Sequence, residues 1–433
     1  MRFYVETYGC QMNECDSAGI VATLEAAGHT KAAGPSDADA VIVNTCAVRE
    51  RAEVRVLGRL RHLRGLMRPS AVLGVVGCVA QRMGGELLRE VRGVAFVLGT
   101  ERHGELPEAL GRASAGLRTV DTTPDAPSVP ARRAPRTEAR LRDFVTVMRG
   151  CDNFCSYCVV PHVRGRERSL PAEAIVAEVE SLVALGARDV TLLGQNVNSY
   201  RDGDVGFAEL LARVSEVPGL PRLRFATSHP KDLSDDIIEA LASRETVCRH
   251  VHLPAQSGSD ETLSAMNRRY TRADYLRLVR RIRERVPGVA ITTDVIVGFP
   301  GETPDRFEAT LSLMREVRFD SAFMFRYSPR PGTAAAALDD DVPEAEKVRR
   351  LEQVIRLQKR TSEELNAALV GSVQEVLVEG PSERDGRLLF GRTGSGKGAV
   401  FEGSESLRGA LARVRVTASS AWTLRGDIVP GRA

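Results

Sequence analysis

Six of the eight cysteines in this 433-residue chain fall into two sets of three. The tighter set lies in RGCDNFCSYC, residues 149–158, where Cys151, Cys155 and Cys158 have the spacing C-x3-C-x2-C. Three thiolates on one short loop suit a four-iron cluster, because soft sulfur ligands favour iron–sulfur assemblies. With only three protein ligands, one iron is open to the amino and carboxylate groups of a cofactor. Zinc is the competing occupant. A structural zinc site usually wants four protein ligands, often in C-x2-C pairs, and the nearest fourth candidate is His162.

Cys10, Cys46 and Cys78 are far apart in sequence, yet each comes at or just after the end of a predicted parallel strand. Parallel strands put their carboxyl ends along one edge, where ligands bind in an open α/β sheet. The plainer reading is three buried structural thiols. Gly9 and Gly77 argue against it, since glycine just before a ligand lets backbone approach closely. Cys15 and Cys248 fit neither set and read as inert buried thiols.

These positions depend on the elements around them. Residues 3–7, 40–44, 71–76 and 96–98 read as strands, and 16–27 as a helix with Ile20, Val21, Leu24 and Ala27 on one face and Gly28 at its end. Strand–helix alternation predicts a parallel α/β sheet. Pro124, Pro127, Pro130 and Pro135 mark 119–137 as a linker. From 144 to 325 the alternation resumes six times, with strands predicted at 144–148, 190–193, 223–227, 250–253, 290–297 and 321–325. In the first crossover helix, Pro171 opens, Gly186 closes, and Ile175, Val176, Val179, Leu182 and Val183 share a face. Six units suit an incomplete β/α barrel, and Cys151, Cys155 and Cys158 follow its first strand, on the end where such barrels carry their active sites. A helix from Pro343 to about 369 stops at Gly371. Short strands at 373–378, 388–391, 399–401 and 412–416 then predict a small β-barrel.

Composition narrows the class. Hydrophobic residues are 43% and charged residues 27%, an ordinary globular balance, and the net charge is only +3. Any basic surface must therefore be local. No apolar run is long enough for a membrane span, and residues 1–10 lack the pattern of a signal peptide. A cytoplasmic chain with no membrane association is expected. In that reducing compartment cysteines point to metal rather than disulfides.

Here a resemblance becomes definite. C-x3-C-x-aromatic-C, with Tyr157 as the aromatic, resembles the signature of radical S-adenosylmethionine (SAM) enzymes. Further stretches span nearly the whole chain: YGCQMN (8–13), NTCAVRE (44–50), GCVAQ (77–81), RGRERS (164–169), LGQNVNSY (193–200), SHPKD (228–232), MNRRYT (266–271) and TDVIVGFPGET (293–303). Together they resemble the methylthiotransferase family, and within it the branch acting on dimethylallyladenosine in transfer RNA.

The resemblance implies an N-terminal methylthiotransferase domain (1–118), the linker (119–137), a radical SAM barrel (138–369) and a C-terminal, OB-like TRAM domain that binds RNA (370–433). It implies two [4Fe-4S] clusters, one on Cys151, Cys155 and Cys158 and one on Cys10, Cys46 and Cys78, the latter carrying or supplying sulfur. It also implies SAM as cofactor and methyl donor, an external electron donor, and the tRNA anticodon loop as partner. The product would be 2-methylthio-N(6)-dimethylallyladenosine at position 37. SAM contacts are expected at Tyr157, at Gln195 and Asn196 after the second barrel strand, at Gln256 and Ser257 after the fourth, and at Gly298 and Phe299 after the fifth. Ordinary turn residues are the alternative there. Close relatives of the family act instead on threonylcarbamoyladenosine in tRNA or on an aspartate of a ribosomal protein. A non-catalytic iron–sulfur RNA-binding module would not need an open cluster.

GRTGSGKG (391–398) resembles a phosphate-binding loop, but no Ser or Thr follows Lys397, and a strand rather than a helix comes next. It is read as a β-barrel turn. Arg164, Arg166 and Arg168 suit either a solvated loop or phosphate and cofactor binding. Arg384, Arg387, Arg392, Lys397, Arg413, Arg415 and Arg425 make the C-terminal barrel basic. Phe390, Phe401 and Trp422 are its candidates for stacking on bases, core packing being the other use.

Overall fold

The apolar runs near the N-terminus form a six-stranded sheet in which every pairing is parallel. In this computed structural model, which describes residues 1–47, 50–123 and 135–430, the strand order is Thr30–Lys31, Arg2–Thr7, Ala40–Thr45, Val72–Gly77, Val94–Leu98 and Thr119–Asp121. Ala40–Thr45 and Val72–Gly77 are buried along their whole length. That is the signature of central strands covered on both faces. Val56, Leu60 and Leu63 of the helix Glu50–Leu66 cover one face. Ile20 and Leu24 of Gln11–Ala26, with Leu106 and Leu110 of Leu106–Ser114, cover the other.

The last strand corrects one expectation. Residues 119–121, read as the start of a linker, pair with Val94–Leu98, and Gly99 N donates to Asp121 O at 2.8 Å. An edge strand needs hydrogen bonds on one side only, so three residues ahead of the first proline suffice. Residues 124–134, with Pro124, Pro127 and Pro130, lie outside the described residues.

Six parallel strands follow in chain order: Arg142–Thr146, Asp189–Leu193, Arg222–Ala226, His250–His252, Ala290–Val297 and Ser321–Arg326. They form two three-stranded sheets joined by a parallel bridge between Leu223 and Val247. Val190, Leu192, Phe225, Val251 and Ile291 meet helix residues such as Leu182, Leu210, Ile237, Leu278 and Leu311 in one core. Helix starts are chemically marked. Thr271 and Asp274 form a reciprocal capping box on Arg272–Arg285.

The first barrel strand ends earlier than its apolar run. At Met148–Arg149 the chain leaves it to pair antiparallel with Arg168–Ser169. This turn carries the cysteine loop past the strand's carboxyl end. The long helix Glu344–Ala367 packs behind the last strand, with Gln358 Nε2 donating to Phe319 O at 2.8 Å.

The C-terminal strands close into a five-stranded barrel. Its fifth member, Thr423–Ile428, has no counterpart in the sequence reading because Gly426 interrupts the pattern. A Cβ there would lie 2.2 Å from Arg415 O, so glycine marks a close strand approach rather than a break. Among the described residues, no helix is long and apolar enough to cross a membrane.

Candidate functional site

Cys151, Cys155 and Cys158 lie on one loop beside the carboxyl ends of the barrel strands. Cys151 and Cys155 are buried and Cys158 is half-buried. The loop's shape starts at Gly150, whose φ of +76° suits glycine. Cys151 N then donates to Gly165 O at 3.1 Å. The loop is braced from far away in sequence. Asn267 Nδ2 donates to Phe154 O at 2.8 Å, and Ser156 N donates to Met266 O at 3.0 Å. Arg268 Nη1 donates to Cys155 Sγ at 3.3 Å. MNRRYT thus acquires a physical role at the cysteine loop, one that spacing alone does not reveal. Burial pushes the Cys151 thiol up to about 11. Burial and then the neighbouring Cys155 push Cys158 up to about 12. Binding a metal there must therefore release protons, and the Arg268 cation works against the rise at Cys158.

Around this loop, buried acceptors stand without protein partners among the described residues: Gln195 Oε1, Asn196 Oδ1 and Gln256 Oε1. Asn196 Nδ2 donates to Asp232 Oδ2 at 2.8 Å, which fixes the amide. Gln256 has φ +66°, an uncommon backbone state for a side chain that is not small. Buried acceptors left open fit a ligand that brings N–H donors, as the amino group of SAM does. The other expected contacts are more engaged with protein. Ser257 Oγ lies 3.2 Å from Thr310 Oγ1. Gly298 N donates to Glu302 Oε2 at 2.6 Å, and Phe299 is wholly buried edge-on to Tyr327. Tyr157 packs against the cluster of Met266, Phe299, Tyr327 and Ala335. His229 of SHPKD is buried, and burial followed by Arg268 pushes it down to about 2. It is neutral at physiological pH.

The second triad sits at the carboxyl edge of the N-terminal sheet. Cys10 precedes the helix Gln11–Ala26, Cys46 follows Ala40–Thr45, and Cys78 begins Cys78–Met83. Both glycines act as the sequence suggests. A Cβ on Gly9 would lie 2.7 Å from Cys46 Cβ, and one on Gly77 would lie 2.6 Å from Thr45 O. A buried amide network fastens these strand ends, with Asn13 Nδ2 donating to Asn44 Oδ1 at 3.1 Å and to Thr45 O at 3.0 Å. Cys10 is exposed while Cys46 and Cys78 are buried. A hydrogen bond from Cys46, against burial and helped by the charge of Arg164, lowers the Cys10 thiol to about 6.

Among the described residues no group of three or more His, Cys, Asp and Glu side chains is already drawn together as a ready metal shell. The thiols nonetheless perturb one another within each set. Cys15 is buried against the barrel and receives Thr146 Oγ1 at 3.2 Å. Cys248 is buried, which pushes its thiol up to about 11.

Of the arginines after the cysteine loop, only Arg164 is buried; Arg166 is exposed and Arg168 half-buried, and each is paired with a carboxylate. Arg164 pairs with Asp16 at 2.7 Å, Arg166 with Asp152 at 2.6 Å and Arg168 with Glu101 at 2.8 Å. In the C-terminal barrel, Lys397 pairs with Asp320 at 2.8 Å and Arg392 with Glu379 at 3.0 Å. Arg224 donates to Thr393 O at 2.9 Å and Gly394 O at 2.8 Å, so the glycine-rich turn docks on the starts of the barrel strands. Phe401 is core. Trp422 is 65% exposed, and Arg384, Arg413, Arg415 and Arg425 are exposed.

Comparison with known proteins agrees with this architecture. Residues 2–99 match the uncharacterized protein family UPF0004, 145–314 the radical SAM superfamily and 367–429 the TRAM domain. The chain is 47% identical over 435 residues to the tRNA-2-methylthio-N(6)-dimethylallyladenosine synthase of Carboxydothermus hydrogenoformans, covering 99% of each chain. It is 45% identical to the enzyme of that name from Moorella thermoacetica, covering 99% of this chain and 98% of that one. Among solved structures, the radical SAM methyltransferase TsrM from Kitasatospora setae superposes with a TM-score of 0.59 at 18% identity, covering 77% of this chain and 74% of that one. The cobalamin-dependent radical SAM enzyme OxsB gives 0.54 at 10%, covering 83% and 61%. These two likenesses show shared fold.

Proposed function

Since the chain belongs to the tRNA-2-methylthio-N(6)-dimethylallyladenosine synthase family, we propose that it methylthiolates N(6)-dimethylallyladenosine at position 37 of tRNA, 3′ of the anticodon. The observation that carries this reading is the presence of two three-thiol sites, each at the carboxyl ends of parallel strands, in a chain that ends in a TRAM barrel. Cys151, Cys155 and Cys158 hold one [4Fe-4S] cluster, and Cys10, Cys46 and Cys78 hold the other. When bound, the clusters and SAM supply an electron, a hydrogen-abstracting radical, sulfur and a methyl group.

The chain's own residues bind and orient. Gln195, Asn196 and Gln256 offer buried acceptors to the SAM amino group. Ser257, Gly298, Phe299 and Tyr157 shape the rest of the SAM pocket. Arg268 donates to Cys155 Sγ and holds that ligand in place. The barrel body is residues 138–369, and residues 370–433 bind RNA. Arg413 and Arg415 are both exposed, two apart on one strand, and meet phosphates without reading sequence. An anticodon-loop base can be splayed out and stacked, whereas a base within an RNA helix is hidden. An external electron donor completes the system, and the cytoplasm is its compartment. The test offers three substrates at one salt concentration: prenylated tRNA, the same transcript unmodified, and the ribosomal protein used by other methylthiotransferases. Turnover of prenylated tRNA alone is expected. Methylthiolation of the protein, or equal turnover of both RNAs, refutes the assignment.

A further inference from the structure

Between the two thiol triads lies a buried ion cluster that the proposed function leaves unexplained. Asp16 sits on the helix that follows Cys10 and is 3% exposed. Its Oδ1 accepts from Arg149 Nη2 and its Oδ2 accepts from Arg164 Nη1, each at 2.7 Å. Arg149 stands two residues before Cys151, and Arg164 stands six after Cys158. One carboxylate of the N-terminal domain therefore clamps both flanks of the barrel's cysteine loop.

Arg164 has more to give than this pairing uses. It is 3% exposed, and its Nη2 is buried with no acceptor among the described residues. Burial works against its charge, while Asp16, and after it Cys78 and Cys10, sustain that charge. Cys78 and Cys10 belong to the N-terminal triad. Val163, its neighbour, packs in one apolar cluster with Cys78 and Val79. A buried guanidinium N–H without an acceptor calls for an explanation. Anionic sulfur supplies one, because charge-assisted hydrogen bonds are the strong ones.

We propose that Arg164 donates from Nη2 to sulfur at the N-terminal cluster site and raises that cluster's reduction potential, with Asp16 holding it in place. Hydrogen bonds and positive charge at cluster sulfur favour the reduced, more negative state. This inference rests on Cys10, Cys46 and Cys78 being cluster ligands.

The experiment uses the full-length chain with Cys151, Cys155 and Cys158 all changed to Ala, so that only the N-terminal triad holds iron. After anaerobic reconstitution, iron is counted and the potential is read by EPR-monitored titration, with and without Arg164→Gln. The parent should hold about four irons, and Arg164→Gln should shift the potential to a more negative value. An unshifted potential overturns the role of Arg164. Should Arg164→Gln take up no iron, the parent itself decides. Its reduced cluster must show a proton coupling that exchanges in D2O, and its absence overturns the proposal. A parent that binds no iron overturns the cluster assignment, and the Arg164 role with it.

Discussion

The hydrogen bond from Cys151 N to Gly165 O shapes the barrel's cysteine loop, and alanine at Gly165 or at Gly150, the residue before the donor, has a different expected effect. Both glycines have positive φ, +76° and +72°. Gly165, with ψ −162°, lies in a positive-φ region that is essentially reserved for glycine, and an L-residue in such a sparsely populated state costs on the order of 1–3 kcal/mol. A Cβ on Gly165 would meet nothing within 4 Å, so Gly165→Ala should cost only that strain. A Cβ on Gly150 would lie 1.9 Å from Arg166 O and 2.4 Å from Arg166 C, which are backbone atoms with no rotamer to escape into. Overpacking of this kind adds about 1–3 kcal/mol. Strain of the loaded loop should appear as faster iron loss, at about tenfold per 1.4 kcal/mol. The assay uses a chain with Cys10, Cys46 and Cys78 changed to Ala and follows anaerobic transfer of iron to a chelator. Gly165→Ala should be faster than the parent, and Gly150→Ala faster again by roughly tenfold. Equal rates for the two variants would show that crowding against Arg166 contributes nothing to holding the loop.

Other substitutions separate the parts of the molecule. Cys155→Ala should abolish reductive SAM cleavage, whereas Cys46→Ala should keep 5′-deoxyadenosine formation and lose sulfur insertion; retention of both activities in Cys46→Ala would make the N-terminal triad merely structural. Asp16→Asn leaves two buried guanidiniums facing a neutral amide and should destabilise the chain by about 3–5 kcal/mol, read from its denaturation midpoint. Burial alone would raise the Asp16 carboxyl, but Arg149 and Arg164 hold it well below the usual carboxylate range. Its contribution is thus present above the unfolded value of about 3.9 and is lost as pH falls below it, so the Asn variant should lack that acid-side decline. Trp422→Ala should leave stability unchanged and weaken tRNA binding by about 1–3 kcal/mol if one base stacks on the ring, as measured by titration at fixed salt.

Much of the architecture was legible because strand and helix periods are local. The parallel sheet, the six barrel units and the cysteines at strand ends all follow from runs of fewer than twenty residues. What joins those parts was not legible. Arg268 reaches Cys155 across 113 positions, and Asp16 reaches Arg149 across 133. Such contacts leave no period in the chain. A charged residue that is 3% exposed reads in sequence like one on a solvated face, as Arg164 shows. The same limit applies to the C-terminal barrel, where Arg392 and Lys397 looked available for RNA yet are paired with Glu379 and Asp320.

The glycine-rich turn at 391–398 shows how local and long-range information divide the work. Its composition suits a phosphate loop because a tight turn presenting a lysine is needed there and here alike. The element that follows decides between them. A helix N-terminus would turn backbone N–H groups and a dipole toward an anion, whereas Gly398–Phe401 continues as a strand and spends those groups on Leu389–Thr393. Thr393 N donates to Lys397 O at 2.9 Å and closes a hairpin. Lys397 is left to reach Asp320 beside the last barrel strand. The turn therefore anchors the C-terminal TRAM barrel to the catalytic barrel at the starts of its strands, opposite the end that carries the cysteine loop.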